Sequence, residues 1–335
     1  MKIGTIGSGF IVRTILSKVA VTEGMECKAV YSRSYETGRK LADYFGVEKV
    51  YTDLDAMFAD PELDFIYVAS PNSFHYDHVK KALEAGKNVL CEKPMVPYGH
   101  QAEELVALAK EKGLFLFEAI TTLYHPHFRW IRERMADLGK LQMITASYCQ
   151  YSSRYDILKA GGQTNIFDPA FCTGSLMDIN VYNIYFVVGL LGMPDRVEYF
   201  AGKFENGIDT HGTMILQYGD LVCQCIGAKD TLCDNGVQIM GDLGYMKVTP
   251  APNNLQSVVL VRRGAEDAGP MGTNLKTRKN REETELPEDQ WYYEMQTISR
   301  LVAAGDYETC YRNLEYSKIV AQVLEAARKS AGLPF

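Results

Sequence analysis

The residues of this sequence best placed to do chemistry are Glu92-Lys93-Pro94. Asn88-Val89-Leu90-Cys91 has the length and apolar character of a short buried strand, and the chain then turns abruptly into charge and proline. Proline fixes its own φ and holds the preceding residue out of the helical region, so Lys93 is expected on a rigid, non-helical turn. The carboxyl end of a strand in an open α/β sheet is where such sheets bind ligands. Taken alone, the three residues also describe an ordinary loop lysine before a loop breaker, and the rest of the chain has to decide between the two.

Three other junctions carry the same kind of signal. Gly7-Ser8-Gly9 follows an apolar run and opens a helical one: the first glycine permits a tight turn, and the second lets backbone approach a pyrophosphate at a helix N-terminus. Phe10 and Ile11 complete the candidates there, while Val12 stands where a third glycine is usual. The second strand runs into Tyr31-Ser32-Arg33-Ser34, with no acid to accept from a ribose 2′-hydroxyl. Ser32 and Arg33 suit a 2′-phosphate better, which points to NADP over NAD. At Ser70-Pro71-Asn72-Ser73-Phe74-His75, Ser70, Asn72 and His75 are candidates to touch the cofactor or, alternatively, to cap and orient the next helix.

The elements that must hold these groups alternate up to about residue 121. Strands are expected at 2–6, 27–31, 65–69, 88–91 and 114–118, and helices at 11–21, 36–45, 75–85 and 98–112. Strands alternating with helices of this length make a doubly wound parallel sheet. After residue 122 the texture changes to strands joined by short polar or glycine turns, at 141–151, 197–204, 213–218, 221–226, 236–240 and 257–261. That succession predicts a mostly antiparallel sheet with a helix over 175–191 and a closing helical pair over 288–304 and 313–331. Two domains follow: 1–121 for the dinucleotide, and 122–335 for substrate. Gly161 to Ala170 and Arg263 to Arg281 read as longer irregular loops.

A chain of 335 residues with a net charge of −7 leaves no broad surface for nucleic acid or an anionic membrane. The one basic run, Lys276-Thr277-Arg278-Lys279-Asn280-Arg281, reads as a solvated loop. Eight cysteines show no paired framework, and Cys223 and Cys225, two apart, point to one face of a strand, so the thiols are read as reduced and the protein as cytoplasmic. A strand beginning at Lys2-Ile3 leaves no room for a signal peptide, and the apolar run from Ile184 to Met193 is too short to span a bilayer. His125 and His127 flank a proline with no carboxylate nearby, and are read as structural rather than as metal ligands.

With Gly-x-Gly at its start, Ser-Pro-Asn-x-x-His at 70–75 and Glu92-Lys93-Pro94, the chain resembles the Gfo/Idh/MocA oxidoreductases over essentially its whole length. Glu118-Ala119 is similar to that family's domain-junction segment, and Gly174-Ser175-Leu176-Met177-Asp178-Ile179-Asn180-Val181-Tyr182 to its substrate-domain helix. The resemblance implies a Rossmann domain followed by an α/β domain with a large open sheet, a bound nicotinamide cofactor, and homodimers or homotetramers formed through that sheet. It implies Lys93 as the catalytic lysine, donating to the reacting oxygen. Asp178 and Tyr182 lie four apart on one helix face, with Tyr182 as general acid/base and Asp178 positioning either substrate or lysine. Tyrosine at 182 is similar to the glucose–fructose oxidoreductase and dihydrodiol dehydrogenase branch. Glu92 is assigned to the nicotinamide–ribose end or to holding the turn. Two departures are Leu123, in place of a common arginine, and Asn180, in place of a frequent glycine. The implied activity is hydride transfer between NAD(P) and a hydroxyl or carbonyl of a sugar, polyol or cyclic diol. The alternative is a dinucleotide-binding regulator of the same fold that does not turn over.

Overall fold

A computed structural model describes residues 1–263 and 281–335. The basic run from Lys276 to Asn280, and all but the ends of the expected 263–281 loop, lie outside the described residues.

The chain begins β1 (Lys2–Ile6), α1 (Phe10–Val19), β2 (Glu26–Tyr31), α2 (Tyr35–Phe45), β3 (Lys49–Tyr51), α3 (Leu54–Phe58), β4 (Phe65–Val68), α4 (His75–Glu84), β5 (Asn88–Glu92), α5 (Gly99–Lys112) and β6 (Leu116–Ala119). The strands form one parallel sheet in the order β3-β2-β1-β4-β5-β6. That order reverses between β1 and β4, and the crevice beyond the strand ends at such a switch point is where doubly wound sheets take ligands. β4 is buried at every residue, as a strand covered by helices on both faces must be. β3 and α3 were not foreseen, because three half-buried residues are too few to show an alternation.

There follow α6 (Thr121–Tyr124), α7 (Pro126–Arg134), β7 (Leu141–Cys149), α8 (Ser153–Lys159), a π-helical turn (Leu176–Asn180) leading into α9 (Val181–Leu191), and then β8 (Arg196–Lys203), β9 (Asp209–Tyr218), β10 (Leu221–Ala228), β11 (Gly236–Gly241), β12 (Gly244–Ala251), β13 (Asn254–Arg262) and β14 (Arg281–Glu285). These strands make an eight-stranded sheet, β14-β13-β12-β11-β7-β10-β9-β8, antiparallel except where β10 meets β7. Arg281, expected in a loop, opens an edge strand paired with β13. Its sequence, Arg-Glu-Glu-Thr-Glu, carries the charge that blunts an exposed edge and hides it from any hydrophobic pattern. β12 was missed because Pro250 interrupts its alternation.

The chain closes with α10 (Gln290–Ala304) and α11 (Tyr307–Ala331). In space, Met1–Ile120, Ala170–Cys172 and Trp291–Glu325 form one compact unit, and Thr121–Pro169, Thr173–Gln290 and Ala326–Phe335 the other. Chain order placed the second domain over 122–335, but residues 291–325 join the first unit. Leu314 and Ala321 belong to its core, the Tyr307 ring stacks on Phe115 at 4.0 Å, and the Cys310 thiol donates to the Leu116 carbonyl at 3.2 Å. All eight cysteines are free thiols. Cys223 and Cys225 are both fully buried, and burial pushes the Cys223 thiol up to about 12. Among the described residues one helical run, Pro169–Leu191, is long and apolar enough to cross a membrane, but 78% of its apolar window is buried inside the protein, as in a core helix.

Candidate active site

In the first unit, the backbone rather than the side chains explains the two N-terminal glycines. Gly7 has φ +120°, and a Cβ there would lie 2.6 Å from the Ala69 carbonyl oxygen at the end of β4, so only glycine fits. A Cβ at Gly9 would meet no protein atom within 4 Å, so the protein's own packing does not require a glycine there. Gly9 instead opens α1, whose first turn has no acidic side chain, which suits close approach by a phosphate. Val12 is fully buried, making through a side chain the strand–helix contact that the usual third glycine makes through backbone. Phe10 is exposed and Ile11 half-buried beside this helix start. The strand ends, glycines and helix start fit a dinucleotide.

At the end of β2, Ser32 is buried and its Oγ accepts from the Ser34 amide, while the Ser34 hydroxyl caps α2 by accepting from the Thr37 amide at 3.4 Å. Arg33 is exposed between them. Ser70, Asn72 and His75, for which cofactor contact and helix orientation are the two alternatives, each make hydrogen bonds within the fold. His75 is 0% exposed, with Nε2 2.7 Å from the Ser70 carbonyl and Nδ1 3.0 Å from the Pro94 carbonyl. A neutral ring has one N–H and serves one of these carbonyls at a time; burial outweighs the second bond and lowers the imidazole to about 4. Asn72 donates to the Cys172 carbonyl at 2.9 Å, and Ser70 Oγ pairs with His78 Nδ1 at 3.0 Å.

The Lys93 turn is built from several elements. Lys93 itself is half-buried, and its peptide bond to Pro94 is cis. Behind it the Tyr67 hydroxyl from β4 donates to Glu92 Oε1 at 2.6 Å, and Glu118 Oε1 from β6 accepts from the Met95 amide at 2.8 Å. With His75 on Pro94, two buried side chains hold the backbone just after the lysine, and Tyr67 holds the Glu92 side chain just before it. Glu92 is buried, and its Oε1 accepts from Tyr67. Glu294 on α10 is also buried; burial first, then the nearby Glu92 charge, raises its carboxyl well above the usual range. Tyr67 and Glu294 were not legible, because nothing local links them to a turn 25 or more residues away.

In the second unit, Asp178 sits in the π-helical turn, its amide donating to the Gly174 carbonyl at 3.1 Å, and Tyr182 follows in the first turn of α9. Asp178 Oδ2 is ion-paired with Nζ of Lys229, a buried residue just past β10 that the sequence did not reveal. The Tyr182 ring meets Tyr148 edge-on, with centroids 5.8 Å apart. The helix start is anchored by buried Asp209, whose Oδ2 accepts from the Leu176 amide at 2.6 Å and the Tyr199 hydroxyl at 2.8 Å. Burial raises the Asp209 carboxyl to about 6, against the lowering effect of those bonds.

Asn180, in the place of a frequent glycine, is fully buried and donates to the Cys225 carbonyl at 3.4 Å. It fits because Gly227 opposite has no side chain: a Cβ there would come within 2.6 Å of the Asn180 Cβ. Leu123 packs over Gly189 of α9 alongside Phe128, so apolar contact stands where a guanidinium was common. His125 caps α7 by accepting from the His127 amide at 3.2 Å, and His127 bridges the Leu255 carbonyl and Thr284 hydroxyl.

Comparison with known proteins agrees with this architecture. Residues 1–120 match the NAD-binding Rossmann fold of the GFO_IDH_MocA oxidoreductase family, and residues 128–247 the GFO/IDH/MocA C-terminal domain. The chain is 31% identical to scyllo-inositol 2-dehydrogenase (NADP(+)) IolU of Bacillus subtilis over 100% of its own length and 98% of the relative's. It is 26% identical to the trans-1,2-dihydrobenzene-1,2-diol dehydrogenase of Sus scrofa over 99% and 96%. A similar fold is found in the 3-ketoreductase KijD10 from Actinomadura kijaniata, solved with NADP and TDP-benzene, with TM-score 0.80, 22% identity, and coverage of 98% of this chain and 97% of that one. The chain belongs to the Gfo/Idh/MocA family of NAD(P)-dependent oxidoreductases.

Proposed function

We propose that the protein moves a hydride between NADP and a CH–OH or C=O carbon of a sugar, polyol or cyclic diol, with Lys93 and Tyr182 acting on the reacting oxygen. The observation that carries this reading is the construction of the Lys93 turn, where Glu118 and His75 hold the backbone around one half-buried lysine and Tyr67 ties down the adjacent Glu92. A turn fixed this way presents an ammonium at a set position, which is what stabilising charge on a reacting oxygen requires. Bound nicotinamide supplies or takes the hydride. Lys93 donates to the substrate oxygen, Tyr182 gives or receives its proton, and Asp178, ion-paired with Lys229, orients the substrate.

NADP is the proposed partner because Arg33 stands exposed at the end of β2 with no acid at the strand end, a relative is named for NADP, and a protein of similar fold is solved with it. Association through the second unit's sheet belongs to the same proposal, supported by Met143, Phe200, Val222 and Tyr245, which stand exposed on its strands. Eight free thiols, most of them buried, support a reducing compartment such as the cytoplasm.

The test is a panel of scyllo-inositol, D-xylose and trans-dihydrodiols with NADP and NAD, following reduced-nicotinamide absorbance. Turnover of at least one polyol or diol, faster with NADP, is expected. Tight cofactor binding with no turnover of any alcohol or carbonyl compound would contradict the reading and favour a regulator.

A further inference from the structure

We propose that Lys229 is a positioning residue that presents Asp178 as a fixed anionic acceptor for a second substrate hydroxyl, on the carbon beside the one that reacts. The inference rests on the reading of Lys93 and Tyr182 above.

The strand period delivers the lysine. Successive alternate residues Cys225, Gly227 and Lys229 face the π-helical turn: the Cys225 carbonyl accepts from Asn180, Gly227 makes room for the Asn180 side chain, and Lys229 reaches Asp178. The main chain at Lys229 is tied down as well, its amide donating to the Thr210 carbonyl at 2.8 Å. The pair is asymmetric, with 9% of the Lys229 side chain exposed against 30% of Asp178. The ammonium is therefore the inner anchor and the carboxylate the group brought toward the surface.

An ammonium buried this deeply is costly unless paired, and the Asp178 carboxylate supplies the pairing. An ionised carboxylate only accepts hydrogen bonds, so its ligand must bring a donor. Tyr182 lies four residues on, on the same helix face. If the reacting oxygen is at the Tyr182 phenol, the group one carbon away that meets Asp178 is a donor, and a hydroxyl satisfies this. The arrangement selects a vicinal diol over a simple alcohol, and Lys229 enforces the selection without touching substrate.

The test compares trans-cyclohexane-1,2-diol with cyclohexanol, using NADP, in the wild type and in Lys229→Met, Lys229→Arg, Asp178→Asn and the Lys229→Met/Asp178→Asn double variant. Lys229→Met is expected to lower kcat/KM for the diol by about 10- to 100-fold, mostly through KM, and to leave cyclohexanol nearly unchanged. Lys229→Arg should recover most of the loss, and the double variant should be no worse than Asp178→Asn. NADPH binding, which the first unit provides, should be unaffected in all four. If Lys229→Met does not fold, the double variant, which removes both charges together, carries the comparison with Asp178→Asn. Equal losses on both alcohols, no loss on the diol, or additive effects in the double variant would overturn the proposal. Full activity in Tyr182→Phe would overturn the underlying reading instead, whatever Lys229 does.

Discussion

The Lys93 turn and the Asp178 turn are held by different physical means. Around Lys93 the supports grip backbone: Glu118 takes the Met95 amide and His75 sits against the Pro94 carbonyl. Around Asp178 the support grips the functional side chain itself, through the Lys229 ammonium, while Asp209 secures the helix start. Exchanging the Lys93 side chain should therefore delete a charge and leave the geometry standing. A change at the Asp178 pair moves the group that is being presented. The first region tests chemistry cleanly, and the second tests positioning.

The largest effect that would break this contrast is at Lys93. Lys93→Met should reduce kcat/KM by about 100- to 1,000-fold while NADPH affinity and melting temperature stay near wild type. A variant that unfolds or loses cofactor would mean that the lysine, and not its buttress, holds the turn.

Asp209 sharpens the other side. Its folded carboxyl titrates near 6 against an ordinary 3.8. Between those values the folded protein holds a proton that the unfolded chain has released, so stability from this group is full below about 4, declines as pH rises from about 4 to about 6, and changes no further above that. The raised value corresponds to about 2–3 kcal/mol. Asp209→Asn, which still accepts from the Leu176 amide and the Tyr199 hydroxyl, should remove that decline, read as the difference between wild-type and variant denaturation free energies across this pH range. An unchanged pH dependence would contradict the assignment.

Glu118→Ala leaves the buried Met95 amide without its acceptor and should cost about 1–3 kcal/mol, with kcat falling because the lysine is no longer fixed. The smallest effect expected is at Arg33, where Arg33→Ala should weaken NADPH about 10-fold and leave NADH unchanged.

The two regions also differ in how far the sequence reveals them. In the first unit each junction is a strand, a turn and a helix within about a dozen consecutive residues, so glycines at 7 and 9 and the lysine before Pro94 leave local marks. Even there, His75 read equally as a cofactor contact or a helix-orienting residue, because no spacing rule says that its ring lies between two carbonyls at full burial. In the second unit the helix bearing Asp178 and Tyr182 is legible, but its supports come from afar: Lys229 is 51 residues from Asp178, and Asp209 is 33 from Leu176. A buried lysine after a strand and an aspartate at the start of another look alike in sequence to many surface residues. Only the register of β10 against the π-helical turn gives them partners. The return of residues 291–325 to the first unit is likewise invisible, since two amphipathic helices carry no mark of which core they cover.

The most direct measurement of the central claim is the turnover of Tyr182→Phe on whichever polyol or diol the wild type oxidises with NADP. A fall in kcat of about 100-fold or more is expected, with NADPH binding and thermal unfolding unchanged, if the phenol exchanges the proton, since the variant loses the hydroxyl and keeps the ring. A kcat within about twofold of wild type in a folded, cofactor-binding variant would contradict that claim.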